Sequence, residues 1–299
     1  WDLTLDRRPD LKRTWAAIKE TGSVAITHVM EIRRNDGATF SGADVTPLLE
    51  TMHYGVSFAL ARWTPPALPV GLDADGHRAW EEWAPVICDA GGAPSAAAWW
   101  TSGSPDELVE LLSNLLPRFE SADSFATKFL LASSVEAGLS RFVEHRVLAA
   151  FSAIEQLSWT ILKLRDGRTR AQYDEMDGAC RLTKLLNRAK VPLTISTTHL
   201  TALAAFAKAN KKPGGPLDGP TAVVRVRNKI VHPKALQQAL YDTPRTIQDA
   251  WRLTCDYLRL LILREIGYVG TYQPFIDLVR LSGNTDPVPW ASPRPMHAG

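Results

Sequence analysis

The stretch that decides the reading is Asp218-Gly219-Pro220-Thr221-Ala222-Val223-Val224-Arg225-Val226-Arg227-Asn228-Lys229-Ile230-Val231-His232-Pro233. Asp218 suits a helix N-cap. Pro220 falls in the first turn, where a missing N–H costs nothing, and Pro233 pushes the residue before it out of the α region. One helix ending at His232 is therefore expected. At about 100° per residue, Asn228 and His232 lie only about 40° apart and share a face. Arg227 lies about 140° round from His232, but its long side chain and a loosened last turn can bring the guanidinium alongside the imidazole. Arg225, seven residues before His232, lies nearly on the same face. Val223, Val226 and Ile230 point the other way, into a core.

A guanidinium, an amide and an imidazole held together have a chemical use. Cutting RNA without a metal needs a group to remove the 2′-hydroxyl proton and one to protonate the leaving 5′-oxygen, with fixed positive charge for the phosphorane oxygens. Arg227, Asn228 and His232 are the candidate catalytic set. Between positions 208 and 234 the chain carries Lys208, Lys211, Lys212, Arg225, Arg227, Lys229 and Lys234 against a single acid, Asp218. Arg225, Lys229, Lys234, Lys211 and Lys212 are the candidate RNA-binding set; on charge alone, a solvated surface is the plainer reading.

Working outward, the pattern from Ser121 is helix after helix. Helices are expected over Ser124–Val135, Arg141–Arg165, Cys180–Lys190 and Thr198–Asn210, the last behind a Ser196-Thr197 cap. A final long helix starts at Asp242-Thr243-Pro244 and runs to Ile266, with Gly267 as its stop. Residues 121–270 thus read as an all-α bundle. Residues 1–118 read as an α+β domain. A strand is expected over Val24–Arg33, a turn at Asn35-Asp36-Gly37, and a helix over Asp44–Tyr54. A strand over Val56–Trp63 follows, then a hairpin loop at Asp73-Ala74-Asp75-Gly76 and a helix over Asp106–Leu116. The tryptophans at 63, 80, 83, 99 and 100 read as packing. Four prolines after Gly283 suggest a flexible tail over 283–299.

Lys and Arg number 34 against 32 Asp and Glu, a net charge of +2, which excludes a uniformly basic nucleic-acid coat and leaves only a local patch. Cys88, Cys180 and Cys255 form neither a disulfide framework nor a zinc spacing, so a reducing, cytoplasmic setting is expected and no metal or cofactor is called for. Asp73 and Asp75 near His77 read as a turn rather than a metal loop. His28, His53, His145 and His199 read as packing or surface. No uninterrupted apolar run reaches the roughly 18 residues of a membrane span.

Arg227-Asn228-Lys229-Ile230-Val231-His232-Pro233 stands between a helical bundle and a long apolar helix ending Leu263-Arg264-Glu265-Ile266-Gly267-Tyr268-Val269-Gly270. With Ala153-Ile154-Glu155-Gln156-Leu157 and Asp218-Gly219-Pro220, it resembles the HEPN superfamily over residues 121–270. The likeness is to bacterial defence or toxin-type members with a preceding α+β domain. It implies a metal-independent endoribonuclease acting as a homodimer with a composite active site. There Arg227 holds phosphate, His232 serves as acid or base, and Asn228 orients one of them. It also implies an antiviral, abortive-infection or toxin system, with RNA as substrate and a regulatory or antitoxin protein as a further partner. Two alternatives stay open: an RNA- or nucleotide-binding module without turnover, and a helical protein dimerising through the apolar faces of its 141–165 and 243–266 helices.

Overall fold

The computed structural model describes residues 1–90, 98–101, 103–232, 240–241, 243, 245–277 and 285–291. β1 (Asp2–Arg7) and β2 (His28–Arg33) pair antiparallel, Asp2 opposite Arg33 and Arg7 opposite His28, with α1 (Leu11–Thr21) between them. α2 (Gly42–Leu60) leads to the hairpin of β3 (Val70–Leu72) and β4 (Arg78–Glu81). Helices then take over: α3 (Pro105–Glu120), α4 (Ser124–Leu139) and α5 (Val143–Ser158), which continues as a π-helical segment (Trp159–Arg165). α6 (Arg170–Asp174), α7 (Gly178–Arg188), α8 (Thr201–Ala209), α9 (Gly219–Val231) and α10 (Thr246–Glu265) follow. β5 (Thr271–Tyr272) and β6 (Asp286–Pro287) form a last short pair. The chain is mixed α and β, with helix predominant and each sheet among the described residues two-stranded.

Several elements depart from expectation. The strand expected over Val56–Trp63 is instead the second half of α2. Ser41 and Asp44 form a capping box at its start, and Thr51, Gly55, Ser57, Phe58 and Ala59 prolong its buried stripe at helical spacing. Gly55 allows α3 close, since a Cβ there would stand 2.6 Å from the Leu112 side chain. The helix stops where Ala61 turns left-handed at φ 51°. α1 gave no strong signal because it buries only Ile18. The helix expected from Thr198 begins three residues later, at Thr201, and of its expected start signal for α10 Asp242 and Pro244 lie outside the described residues.

One apolar core runs through the molecule. Phe58, Trp99, Leu111, Leu115 and Phe119 join it from α2, α3 and the segment between, together with Leu131, Leu157 and Leu258. Helices α2 and α3, assigned by sequence to the 1–118 domain, therefore share their core with the bundle. Trp63 and Trp99 are buried as expected, while Trp83 is 75% exposed. Part of the expected flexible tail is packed: Val288 donates its N–H to Gly270 at 3.2 Å, and the Trp290 indole donates to the Tyr268 carbonyl at 2.7 Å. Pro287 is tolerated because a two-residue edge pairing needs no N–H from it. The run Val143–Arg165 is long and apolar enough to cross a membrane by length and composition, yet half of the qualifying window is buried against the bundle, as in a core helix.

α10 is buried at 17 of its 20 positions, charged ones included. Asp249 accepts the backbone N–H groups of Ala202 (2.9 Å) and Leu203 (3.3 Å), capping α8 from outside its own sequence. Arg252 donates to the carbonyls of His199 and Ile276. Asp256 accepts the Phe275 N–H at 2.8 Å, and the Arg259 guanidinium lies 4.7 Å over the Phe275 ring. Burial pushes the Asp256 carboxyl up to about 6, against the Phe275 N–H and the Arg259 charge. The same burial lowers Arg259.

Two predictions follow from this packing. Gly219 starts α9 with its N–H on the Leu193 carbonyl at 2.7 Å, and a Cβ there would lie 2.1 Å from the Tyr257 hydroxyl and 3.0 Å from that carbonyl. Gly219→Ala should cost about 1–3 kcal/mol in urea denaturation; an unchanged midpoint would show that α9 does not dock this tightly. Asp256 holds its proton more tightly folded than unfolded, so its contribution to stability falls as pH rises from 3.8 to about 6 and is flat above. The wild type should gain on the order of 3 kcal/mol relative to Asp256→Asn between pH 7 and pH 4. A pH-independent gap between the two proteins would contradict the burial argument.

Candidate functional site

α9 forms as the sequence predicts. The Asp218 carboxylate accepts the Thr221 N–H at 2.9 Å, and the helix ends with the His232 N–H on the Asn228 carbonyl at 2.9 Å. Ala222, Val223 and Val226 are buried against the bundle, and Ile230 packs on the same core. That anchoring turns Arg227 and Asn228 toward α5 and α7.

Between these three helices lies a groove of about 180 Å³. Phe151, Ile154, Leu182 and Val224 make its walls apolar, while Glu155, Ser158, Arg181, Arg227 and Asn228 supply its polar groups. Arg227 donates from Nη2 to Glu155 Oε1 at 3.0 Å and from Nη1 to Asn228 Oδ1 at 3.2 Å. Its Nε is buried and has no hydrogen-bond partner among the described residues. The Glu155 side chain is 55% exposed, so this ion pair sits at the groove mouth, where it is worth about 1 kcal/mol or less and can be exchanged for a ligand.

The opposite wall is stiffer. Arg181 donates to the Tyr173 carbonyl at 3.2 Å and lies 4.1 Å over the Tyr173 ring, and the Tyr173 hydroxyl is 2.6 Å from Ser158 Oγ. Ser158 is the last residue of α5 before the π-helical segment, a distortion that often accompanies functional sites. Arg181 Nε is also buried without a hydrogen-bond partner among the described residues.

The candidate residues do not all converge. Arg227 and Asn228 meet in the groove with Glu155. His232 is exposed at the end of α9, about 7 Å beyond Arg227 along the helix axis, and is not among the lining residues. Arg225, placed by helical geometry near the face of His232, directs its guanidinium to the Asn210 carbonyl at 2.9 Å and ties α9 to the end of α8. The Lys229 ammonium lies 5.1 Å over the Phe206 ring. Lys211 and Lys212 are exposed, in a turn closed by reciprocal backbone bonds of 3.0 Å between Lys212 and Gly215. Lys234 lies outside the described residues.

Glu155, Arg181 and Ser158 are the groove residues that the sequence did not single out as a site. Glu155 and Ser158 were visible as polar interruptions of the otherwise apolar face carrying Phe151, Ile154 and Leu157; nothing in the α7 sequence marks Arg181. The groove offers a single carboxylate and neither imidazole nor thiol among its lining residues, a poor donor set for a resident cation. Asp73, Asp75 and His77 do bring three ligand atoms within 4.8 Å of one another, but all three residues are exposed. Asp73 Oδ1 already accepts the N–H groups of Asp75 (3.0 Å) and His77 (2.8 Å), which is the expected turn.

Two family models match the chain: the YopA central domain over residues 1–92 and the YopA C-terminal domain over residues 128–286. The second contains the whole groove. The expected boundary at 118–121 falls between the two matches. Over 301 residues the chain is 27% identical to the SPbeta prophage-derived uncharacterized protein YopA of Bacillus subtilis (strain 168), an alignment taking in 97% of this chain and 64% of that protein. The chain thus spans slightly less than two thirds of the relative's length. No solved structure matches it.

Proposed function

We propose that this chain, which belongs to the YopA family, binds RNA in the groove between α5, α7 and α9 and cuts it as a metal-independent endoribonuclease of the HEPN type. The observation that carries the reading is Arg227. It is held at the groove mouth between Glu155 and Asn228, on a helix backed by the core and ending in exposed His232.

In this reading Glu155 keeps Nη2 of Arg227 in place while the Nη1 side, bonded only to the neutral Asn228 amide, turns to a phosphate. A hydrogen bond from the guanidinium to a neutral acceptor is thereby exchanged for a stronger one to an anion. His232 takes or gives the proton. The 2′-oxygen forms its bond to phosphorus as the bond to the 5′-oxygen breaks, leaving a 2′,3′-cyclic phosphate and a 5′-hydroxyl. One imidazole cannot act as base and as acid within the same step, so the second copy supplies the other group, and the working unit is a homodimer with a composite site. The relative's prophage origin fits the role implied by the resemblance: an antiviral, abortive-infection or toxin system, acting on cytoplasmic RNA and held in check by a regulatory or antitoxin protein.

A second reading has its own support. Glu155 already neutralises Arg227, as befits a module that binds RNA or a nucleotide without turnover.

The test is cleavage of single-stranded RNA in the presence of chelator. Wild type should form product, and Arg227→Ala and His232→Ala should each lose about 100-fold or more in rate. Equal cleavage by all three proteins would refute the nuclease; tight, salt-sensitive binding with no product would establish the second reading.

A further inference from the structure

We propose that the groove is a guanine-reading pocket, which makes the substrate class RNA with a guanine at the bound position; this rests on the groove being an RNA site.

The first support is shape and wall chemistry. A phosphate alone needs cations and N–H donors. This groove instead combines a carboxylate with apolar walls from Phe151, Ile154, Leu182 and Val224, and its volume of about 180 Å³ is enough to take in one base. Apolar walls suit the faces of a planar ring. The polar groups are left to read its edge.

The second support is the pattern of donors and acceptors. Guanine presents two adjacent donors, N1–H and the N2 amino group, followed by two acceptors, O6 and N7. Glu155 from α5 is an acceptor-only group, and only one of its oxygens, Oε1, takes the 3.0 Å bond from Arg227. Its remaining lone pairs match N1–H and N2–H. Arg181 from α7 is donor-only and stacked on Tyr173, and with Nη2 engaged by the Tyr173 carbonyl its Nη1 donors are the ones left to match O6 and N7. The other bases fit this pair worse. Adenine and cytosine turn a ring-nitrogen lone pair toward the carboxylate, and uracil has one ring donor flanked by two carbonyl oxygens that the carboxylate repels.

The third support is rigidity. The Ser158, Tyr173 and Arg181 chain is anchored at 2.6 Å and 3.2 Å, which sets the donor wall, while the more exposed Glu155 is reached by Arg227 through Oε1 alone. The donor is thus positioned before a base arrives, which lets discrimination rather than reorganisation take up more of the binding energy. Arg227 keeps its separate task of holding phosphate, so base and backbone are handled by different guanidinium groups.

The experiment measures binding of fluorescent pentanucleotides, two uridines on each side of a central G, A, C or U, with 2′-fluoro sugars so that none is cut. Guanosine 3′-monophosphate serves as competitor. The central-G strand should bind about tenfold or more tightly than the other three, and Glu155→Gln should erase that preference while the central-U strand still binds. Competition by the free nucleotide with an affinity close to that of the strand would identify a free guanine nucleotide, rather than RNA, as the source of the base. This overturns the substrate class proposed here. Equal binding of all four strands overturns guanine reading and leaves the RNA site standing; no binding by any strand overturns both. A guanine preference that Glu155→Gln leaves intact also overturns the assignment. Guanine preference without any cleavage of natural RNA keeps this proposal and removes the nuclease.

Discussion

The structure depends on one demanding condition: α10 is enclosed on nearly every side while carrying Asp249, Arg252, Asp256 and Arg259. A buried charge is tolerated only when paired and hydrogen-bonded, so each of these side chains must find partners on whatever surrounds the helix. For Asp249, Arg252 and Asp256 the partners are backbone groups of other segments, and for Arg259 the contact is the face of the Phe275 ring. Asp249 thereby fixes the start of α8, Arg252 bridges His199, two residues before α8, to Ile276, and Asp256 with Arg259 holds Phe275. On the far side, the Trp251 indole donates to the Ala137 carbonyl of α4 at 2.6 Å. Removing one partner would leave an uncompensated charge inside, which couples distant segments to one helix more firmly than apolar contact alone.

The groove inherits its geometry from that helix. α9 docks on α10 through Gly219, where only a hydrogen fits beneath Tyr257 and the Leu193 carbonyl. With its apolar side committed, α9 has a single way to face, and Arg227 and Asn228 are delivered to α5. α5 is in turn seated by Phe151, Ile154 and Leu157, which leaves Glu155 at the mouth. The polar edge of the groove is thus set by choices made in the core, several residues away from the side chains that form it.

Much of this was legible in the sequence where the signal was local. Asp218, Pro220 and Pro233 mark the limits of α9, and Val223, Val226 and Ile230 mark its inner face, because capping and periodicity act within a few residues. The failures share a cause. The second half of α2 looks like a strand until Leu112 of α3 is known to press on Gly55. The start of α8 looks as if Ser196-Thr197 should cap it, until Asp249, some 47 positions further on, does so. Pro287 and Trp290 look like tail until Gly270 and Tyr268 receive them. In each case the deciding partner is remote in sequence. The site divides the same way: Arg227 and Asn228 were readable from one helix, whereas Glu155 and Arg181 gain their meaning only when α5, α7 and α9 are brought together.

The same remoteness changes what the basic stretch can do. Counted along the chain, residues 208–234 promise many phosphate contacts, and non-specific affinity for RNA rises with each phosphate neutralised. In the fold, Arg225 is directed to Asn210 and Lys229 lies on Phe206, while Lys211 and Lys212 stand in a turn beyond α8. Within the groove, Arg181 and Arg227 face Glu155, a net of one positive charge. Backbone attraction at that level is weak. An RNA strand bound as proposed would have to draw much of its affinity from contacts other than phosphate, and the apolar walls with Glu155 and Arg181 are the part of the groove able to provide them. In the proposed homodimer a second copy doubles the cations without changing this balance, so the proposed base recognition and the proposed pairing of copies would answer the same deficit of charge by different means.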